Sequence, residues 1–213
     1  MGIKAVVFDF GGVIAFFQDE QDLAAMAKKA GIDAAFMKKR YWETRSGYDQ
    51  GFVSGAEYFG RILDEAGRHA AGDELLETLV RMDVESWARI NPAAERLVRE
   101  VKEAGCKVAI LSNMIQPFID WARENLPVFS LVDEGIYSCE AGEIKPDAAI
   151  YRLLLEKLGC AAEETLFFDD VEANVAGARA AGIRACLWRG AEAARGELIG
   201  CGVVCGKEEL WRC

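Results

Sequence analysis

A short apolar run close to the N-terminus constrains the fold more than any other part of the sequence. Residues 4–14 read Lys-Ala-Val-Val-Phe-Asp-Phe-Gly-Gly-Val-Ile. The Val- and Phe-rich part is too short for a helix and stops at Gly11 and Gly12, so it predicts a central strand that is covered on both faces. In such sheets ligands bind beyond the carboxyl ends of the strands, where Asp9 stands. The alternative interpretation of Asp9 is an ordinary turn residue.

The composition limits which proteins such a strand can belong to. The chain has 213 residues, 52% of them hydrophobic, which suits one domain with a large insertion or two small domains. A formal net charge of -10 argues against nucleic acid or an anionic membrane as the main partner. Seven cysteines without metal-ligand spacing, and no secretory leader, predict a location in the reducing cytoplasm. Whether the protein is a monomer or a homodimer stays open.

Residues 16–90 carry apolar side chains at helical spacing, with no strand pattern among them. One of the predicted helices begins with a capping-box pattern formed by Ser54 and Glu57. We therefore expect a four-helix cap domain at residues 16–90. It is inserted into a core domain that consists of residues 1–15 and 91–213.

From residue 91 onward, short apolar runs alternate with helical patterns, which predicts an α/β core with a Rossmann-like, doubly wound parallel sheet. After residue 190 the pattern indicates a helix near residues 192–199 and a short strand at Val203 and Val204. Three of the predicted strands end in polar residues, and a lysine precedes a later helix. Right-handed crossovers bring the carboxyl ends of such strands to one edge of the sheet, so these residues should form one site. The residues are Asp9, Ser112, Asn113, Lys145, Asp169 and Asp170.

The residue types at this edge point to phosphate chemistry with a magnesium ion. Carboxylate oxygens are hard ligands that suit Mg²⁺, and Lys145 supplies a compact positive charge. Ser112 and Asn113 can donate hydrogen bonds to phosphate oxygens. Because the only histidine, His69, lies in the predicted cap and is interpreted as a surface residue, a carboxylate is the expected nucleophile.

The same segments make the chain resemble the haloacid dehalogenase superfamily, in the branch with a helical cap after the first motif. The four matching motifs are residues 8–14, 111–113, 145–146 and 167–170. The resemblance implies a Mg²⁺-dependent phosphatase that acts on a small phosphorylated metabolite through an aspartyl-phosphate intermediate. It implies that Asp9 is the nucleophile and that Lys145 assists it.

The resemblance also implies which groups hold the phosphate and the ion. Gly12, Ser112, Asn113 and Lys145 would bind the phosphoryl group. Asp170 would bind the ion directly and Asp169 from the outer shell, with Asp9 and the Gly11 carbonyl as further ligands. Asn174, in the helix after Asp170, either orients this acidic pair or is an ordinary surface residue.

Residues 40–48 of the predicted cap are rich in aromatic and basic side chains. We selected Arg45 from this stretch as the candidate for contact with the substrate. In the alternative interpretation, the aromatic residues pack inside the cap and the arginines are solvated.

Gly11 departs from the family pattern, which usually places a second Asp at this position to exchange protons with the leaving group and with water. General acid–base catalysis contributes roughly 10²- to 10⁴-fold. Gln18, Asp19, Glu20, another cap residue or the substrate could replace the missing group. Two other functions therefore stay open: a 2-haloacid dehalogenase-like hydrolase, and a non-catalytic protein that binds a phosphorylated ligand or a protein partner.

Overall fold

A parallel sheet lies at the centre of the molecule. The computed structural model describes residues 2–69 and 71–205 of the chain. Within them the strands are β1 (Ala5–Phe8), β2 (Lys107–Ser112), β3 (Glu134–Tyr137), β4 (Thr165–Asp169) and β5 (Arg184–Leu187). They lie in the order β3-β2-β1-β4-β5, and every neighbouring pair is parallel. The predicted α/β fold class is confirmed.

The apolar run at the N-terminus forms the central strand. All four residues of β1 are completely buried. Since successive side chains of a strand point to opposite faces, Val6 and Phe8 pack into one apolar cluster, and Ala5 and Val7 pack into a second. A strand with two apolar faces requires helices on both sides of the sheet.

The helices of the described chain meet this requirement. Residues of the helix after β4 and of the one before it pack with Val7, whereas helices that flank β2 in the chain pack with Phe8. In chain order the helices are α1 (Glu20–Ala30), α2 (Ala34–Glu43), α3 (Arg45–Asp49), α4 (Gly55–Glu65), α5 (Asp73–Ser86), α6 (Pro92–Glu103), α7 (Gln116–Asn125), α8 (Ser138–Ala141), α9 (Ala148–Leu158), α10 (Glu172–Ala180) and α11 (Ala191–Gly200).

The first five helices lie between β1 and α6. The four longer ones, α1, α2, α4 and α5, correspond to the predicted four, and the five-residue α3 is an addition that the sequence pattern does not indicate. The entering and leaving chains are joined, because Phe16 N donates to Arg89 O at 2.8 Å and Asn91 N donates to Ile14 O at 2.8 Å. We call residues 16–90 the cap and the rest the core. That the two are separate domains stays a prediction.

The last described residues differ from expectation in one respect. α11 confirms a helix predicted near residues 192–199. A short strand predicted at Val203 and Val204 is wrong, because Val203 N donates to Leu198 O at 2.8 Å and folds the chain back onto the end of α11. Among residues 2–69 and 71–205, no helix combines the length and the apolar character that crossing a membrane requires.

Candidate active site

The polar residues selected from the sequence meet at one edge of the sheet. Asp9 directly follows β1, whose Phe8 is level with Ile110 of β2 and with Phe168 of β4. Ser112 and Asp169 are the last residues of those two neighbouring strands. The parallel pairing therefore brings three separate parts of the chain within contact distance.

A cluster of charged side chains forms at this edge. Lys145 Nζ lies 2.9 Å from Asp9 Oδ1 and 2.6 Å from Asp169 Oδ2. One carboxylate oxygen from each of Asp9, Asp169 and Asp170 lies within 4.8 Å of the others. Three carboxylates thus face one ammonium group, and oxygen ligands of this kind are what Mg²⁺ prefers in proteins.

Burial governs the protonation of this cluster. It raises the pKa of Asp9 to about 6, and the charge of Asp169 adds to that effect while Lys145 opposes it. Burial lowers the pKa of Lys145, but the two carboxylates beside it outweigh burial, so its pKa is raised overall. Burial likewise raises the pKa of Asp170. Lys145 therefore stays charged at neutral pH.

Asp169 is held by the protein itself. Its two carboxylate oxygens accept hydrogen bonds from Asn174 Nδ2 at 3.0 and 3.1 Å, and Oδ1 also accepts one from Val171 N at 2.8 Å. Asp169 is completely buried, whereas Asp170 lines a cavity. Of the two interpretations of Asn174, the contact agrees with the one in which it orients the acidic pair.

Gly12 allows Asp170 to approach the strand end. Its φ angle is +78°, and an added Cβ would lie 2.3 Å from Asp170 Oδ2. A side chain at this position would therefore strain the backbone and displace the carboxylate. Gly12 was selected as a phosphate-binding residue, and this contact shows it packed against Asp170.

Gly11 is covered by an aromatic ring of the cap. An added Cβ would lie 2.8 Å from Cζ3 of Trp87, which directly follows α5. The φ angle of Gly11 is not in the left-handed region, so the ring, and not the backbone, opposes a larger residue. Trp87 thus takes up the space in which an aspartate side chain would begin.

Ser112 and Asn113 contact the charged cluster in different ways. The buried Ser112 side chain lies beside Asp9 and lowers the pKa of its carboxyl group. Asn113 Nδ2 donates to Lys145 O at 3.0 Å, and Lys145 N donates to Asn113 Oδ1 at 2.8 Å. Asn113 therefore fixes the backbone of Lys145, and with it the direction from which the ammonium group reaches the carboxylates.

A cavity of about 220 Å³ opens above the cluster, between the core and the cap. Asp9, Lys145 and Asp170 line its polar end. Cap residues that line it include Phe17, Trp42, Trp87, Arg45 and Asp49. We call Asp9, Lys145 and Asp170 the charged floor of the cavity. The cap residues that face this floor are mostly aromatic.

Arg45 lines this cavity, but its guanidinium group is bound within the cap. Nε donates to Asp49 Oδ1 at 2.8 Å and Nη1 donates to Asp83 Oδ2 at 2.9 Å. The group also lies over the rings of Tyr41 and Tyr48, 4.6 and 5.2 Å from their centroids. Arg45 is therefore a buried member of an ion-pair network, and a contact with substrate would have to share its donors.

The other candidates for the missing proton-transfer group lie elsewhere. Gln18 is buried and donates to Ser86 Oγ at 2.7 Å. Asp19 is the N-cap of α1, and Glu20 is exposed and paired with Lys38. The exposed His69 faces Asp64 in the cap. None of these residues lines the cavity.

Two residues of the site were missed from the sequence. In the sequence, Trp87 is one of many apolar residues at helical spacing in the predicted cap, and Asp49 does not stand out. Asp49 ends α3, a helix too short to show a periodic pattern. Trp87 covers Gly11, which is distant in the sequence, so no local signal could have identified it. Asp49 pairs with Arg45 four residues before it, and that i,i+4 spacing is the one local signal that could have indicated it.

Known proteins with a similar sequence or fold place the chain in a family. A family model described as haloacid dehalogenase-like hydrolase matches residues 3–182. The phosphatase MT3486 of Mycobacterium tuberculosis is 32% identical over 193 residues, which are 88% of each chain.

Two solved structures share the fold. An enzyme of this family from Bacteroides thetaiotaomicron, in complex with magnesium and inorganic phosphate, is 23% identical, with a TM-score of 0.72 over 87% of this chain and 94% of that one. The L-2-haloacid dehalogenase of Xanthobacter autotrophicus is 22% identical, with a TM-score of 0.67 over 96% of this chain and 85% of that one. With its family match over most of its length and its charged cluster at the strand ends, the chain belongs to the haloacid dehalogenase-like hydrolases.

Proposed function

We propose that this protein is a Mg²⁺-dependent phosphatase that hydrolyses a small phosphate monoester through an aspartyl-phosphate intermediate on Asp9. The observation that carries the proposal is the excess of charge in the cluster, in which three carboxylates surround one ammonium group. A divalent cation would offset the two negative charges that remain, and it would polarise a bound phosphate. The relative from Mycobacterium tuberculosis is a phosphatase, which supports the reaction class.

The hydrogen bonds of Asp9 suit a nucleophile. Its Oδ1 accepts from Phe10 N at 2.6 Å and lies 2.9 Å from Lys145 Nζ. These contacts fix the carboxylate and leave Oδ2 for attack on phosphorus. We assign Asp170, Asp9 and the Gly11 carbonyl to the ion. Asp169 then acts through Lys145 and Asn174, because protein donors already occupy its oxygens.

Asp49 is our candidate for the proton-transfer role that Gly11 lacks. Asp49 lines the same cavity as Asp9. Its backbone oxygen accepts from Ser138 Oγ, and Ser138 Oγ accepts from Met114 N at 2.8 Å, so α3 is tied to the loop after β2. Burial raises the pKa of Asp49, although Arg45 opposes the effect. A carboxyl group with a raised pKa is better suited to donate a proton near neutral pH.

A 2-haloacid dehalogenase is the second candidate, and Gly11 is the observation that favours it. The resemblance to this superfamily implies that those enzymes also lack the second Asp, but that they need no metal. The cluster of three carboxylates argues for the phosphatase, since a metal-free enzyme has no use for its excess negative charge. A cytoplasmic location, and a monomeric or homodimeric state, are kept as proposals.

The test compares two reactions on one preparation. Phosphate release from p-nitrophenyl phosphate is measured with Mg²⁺ and with a chelator, and chloride release is measured from 2-chloropropionate. We expect phosphate release that depends on Mg²⁺, and no chloride release. In Asp9→Asn the rate of phosphate release should fall by more than about 10⁴-fold. Asp64→Asn is the matched control, because Asp64 is an exposed carboxylate of the cap.

The alternatives predict different results. Chloride release that is independent of Mg²⁺ identifies a dehalogenase. No turnover of either compound by the folded protein, together with tight binding of phosphate, identifies a non-catalytic protein. Turnover that persists in Asp9→Asn overturns the assignment of the nucleophile.

A further inference from the structure

Three aromatic rings form the cap side of the cavity. Phe17 stacks on Trp42 with ring centroids 5.6 Å apart, and it meets the edge of Trp87 at 5.1 Å. The two tryptophan rings are nearly perpendicular, with centroids 6.3 Å apart. We call Phe17, Trp42 and Trp87 the aromatic wall. The three rings hold one another in place, so the wall is present before a ligand arrives.

The aromatic wall is unusually exposed. Phe17 is 53% exposed and Trp42 is 41% exposed, although both are large apolar side chains. Exposed apolar surface that is contiguous and lines a cavity is typical of a binding site. Val171, which lines the cavity from the core side, is also 46% exposed. Apolar surface therefore faces the cavity from both halves of the molecule.

The core adds further apolar residues next to the charged floor. Met114, Ile115 and Phe118 follow β2 and line the cavity. All three are buried. The lining therefore combines the charged residues around Asp9 with apolar residues from both the core and the cap.

The polar cap residues in the lining are paired with protein groups, so apart from the proton transfer proposed for Asp49 they offer little to a polar substrate. Among the described residues these are Arg45 and Asp49, and the Nε of the first donates to the carboxylate of the second at 2.8 Å. Asp83 binds the other side of the guanidinium group. A sugar or glycerol would need donors and acceptors for its hydroxyl groups, and unpaired hydroxyls in an apolar site are unfavourable.

We infer that the substrate is the phosphate monoester of an apolar alcohol, whose hydrocarbon part lies against the aromatic wall. The inference rests on the proposed phosphatase function and specifies the substrate class for the same site. The phosphate lies at the charged floor, and the carbon next to the bridging oxygen points toward the cap. A cavity of about 220 Å³ is smaller than the roughly 300–1,000 Å³ usual for drug-sized ligands. It therefore suits a single ring or a short chain.

A series of alkyl phosphates tests this inference. kcat/KM is measured with Mg²⁺ for methyl, ethyl, propyl, butyl and hexyl phosphate. Glycerol 3-phosphate is measured as well, because it is the hydroxylated analogue of propyl phosphate. Each methylene that is buried against the aromatic wall should raise kcat/KM by about fourfold. We expect the series to rise until the cavity is full, and glycerol 3-phosphate to be at least about tenfold poorer than propyl phosphate.

Variants of the aromatic wall show whether its rings cause the rise in kcat/KM. Phe17→Ala and Trp42→Ala should flatten the rise, so that the ratio of kcat/KM for butyl phosphate to kcat/KM for methyl phosphate falls in each variant. Phe52→Ala is the matched control, because Phe52 is a 70% exposed cap residue outside the cavity lining. Trp42→Leu, measured beside Trp42→Ala, keeps an apolar side chain and should retain part of the rise. Thermal unfolding is recorded for each variant.

The outcomes separate this inference from the proposed function. Mg²⁺-dependent phosphate release with a flat or falling series, or with preference for glycerol 3-phosphate, overturns the inference and leaves the phosphatase proposal standing. A rise that persists in both folded wall variants also overturns it. No Mg²⁺-dependent phosphate release from any compound overturns the proposed function itself.

Discussion

Two buried clusters of charge, one in the core and one in the cap, are built from similar parts but differ in completeness. In the core cluster, Lys145 lies among Asp9, Asp169 and Asp170. In the cap cluster, Arg45 lies between Asp49 and Asp83. Each has one cation within hydrogen-bonding distance of two carboxylates. The core cluster has a third carboxylate in addition.

The surroundings of the two clusters differ as well. In the cap, the Tyr41 hydroxyl donates to Asp83 at 2.6 Å, and the rings of three tyrosines lie around the guanidinium group. In the core, Asp9 and Asp170 face the cavity. The cap cluster is thus closed around Asp83 and reaches the cavity at Arg45 and Asp49, whereas the core cluster has two carboxylates at the cavity and one more negative charge. The comparison teaches that an ion-pair network becomes a candidate site when its charge is left uncompensated on an accessible side.

Breaking the cap cluster should have the largest effect on stability. Arg45→Met removes the cation from the buried Asp83 and the partly buried Asp49, and breaking a buried pair in this way costs about 3–5 kcal/mol. The matched control is Arg61→Met, since Arg61 pairs with Glu57 at the exposed surface and such pairs contribute about 0–1 kcal/mol. Urea unfolding of both variants gives the two values. Equal, small losses would show that the cap cluster is not structural.

The same variant also tests the original interpretation of Arg45 as a substrate contact. If Arg45→Met and Arg45→Lys both fold, a raised KM with unchanged kcat would indicate a direct contact with substrate. We expect instead that loss of stability dominates and that Arg45→Lys restores only part of it, because lysine cannot reproduce the two-sided contact.

Breaking the core cluster should affect activity more than stability. Lys145→Ala leaves three carboxylates facing one another, so phosphate release should fall by about 10²- to 10³-fold, the usual loss when one group that stabilises the transition state is removed. Lys145→Arg should recover little, because the planar guanidinium group has a different shape. Lys107→Ala, a change to a core lysine outside the cavity lining, serves as the control. An unchanged rate in Lys145→Ala would place this residue outside the reaction.

Asp49 belongs to the cap cluster and also lines the cavity, so it sharpens the comparison. Asp49→Asn keeps an acceptor for Arg45 but cannot transfer a proton. Hydrolysis of an alkyl phosphate should therefore fall by about 10²-fold, and that of p-nitrophenyl phosphate by much less, because its leaving group needs little protonation. The ratio of the two rates is the readout. Equal losses on both substrates would assign Asp49 to structure alone.

The smallest expected effect is the dependence of Mg²⁺ binding on pH. The pKa of Asp9 is raised to about 6, above its ordinary value, so the folded protein holds this proton more tightly than the unfolded chain does. In the metal-free protein this contribution to stability is present at low pH and is lost as the pH rises through 6. Mg²⁺ competes with the same proton. Its apparent affinity, measured by calorimetry, should rise by about tenfold from pH 5 to pH 7.

A variant identifies the group responsible for that dependence. In Asp9→Asn the rise in affinity between pH 5 and pH 7 should shrink, because the titrating carboxylate is gone. A rise of the same size in Asp9→Asn would assign the proton to another group, such as Asp170.

The core and the placement of its polar residues were predictable from the sequence. β1 and β4 are continuous apolar runs that end at a carboxylate, and a fully buried parallel strand requires this pattern. The helix caps at Asp33 and Asn91 were also predictable, because the side chain of a capping residue accepts hydrogen bonds from backbone N–H groups only two or three residues later. Since parallel strands end at the same edge, local signals were sufficient to bring Asp9 and Asp169 together.

The cap side of the cavity was decided only by the tertiary structure. The sequence shows which residues of a cap helix are apolar, but not which ring covers Gly11 or which carboxylate pairs with Arg45. Trp87 and Asp83 take these places through packing between helices that are far apart in the sequence. Helical periodicity specifies a buried face and leaves open the helix that it meets. For this reason the charged floor follows from the sequence, whereas the aromatic wall above it depends on how the cap helices pack.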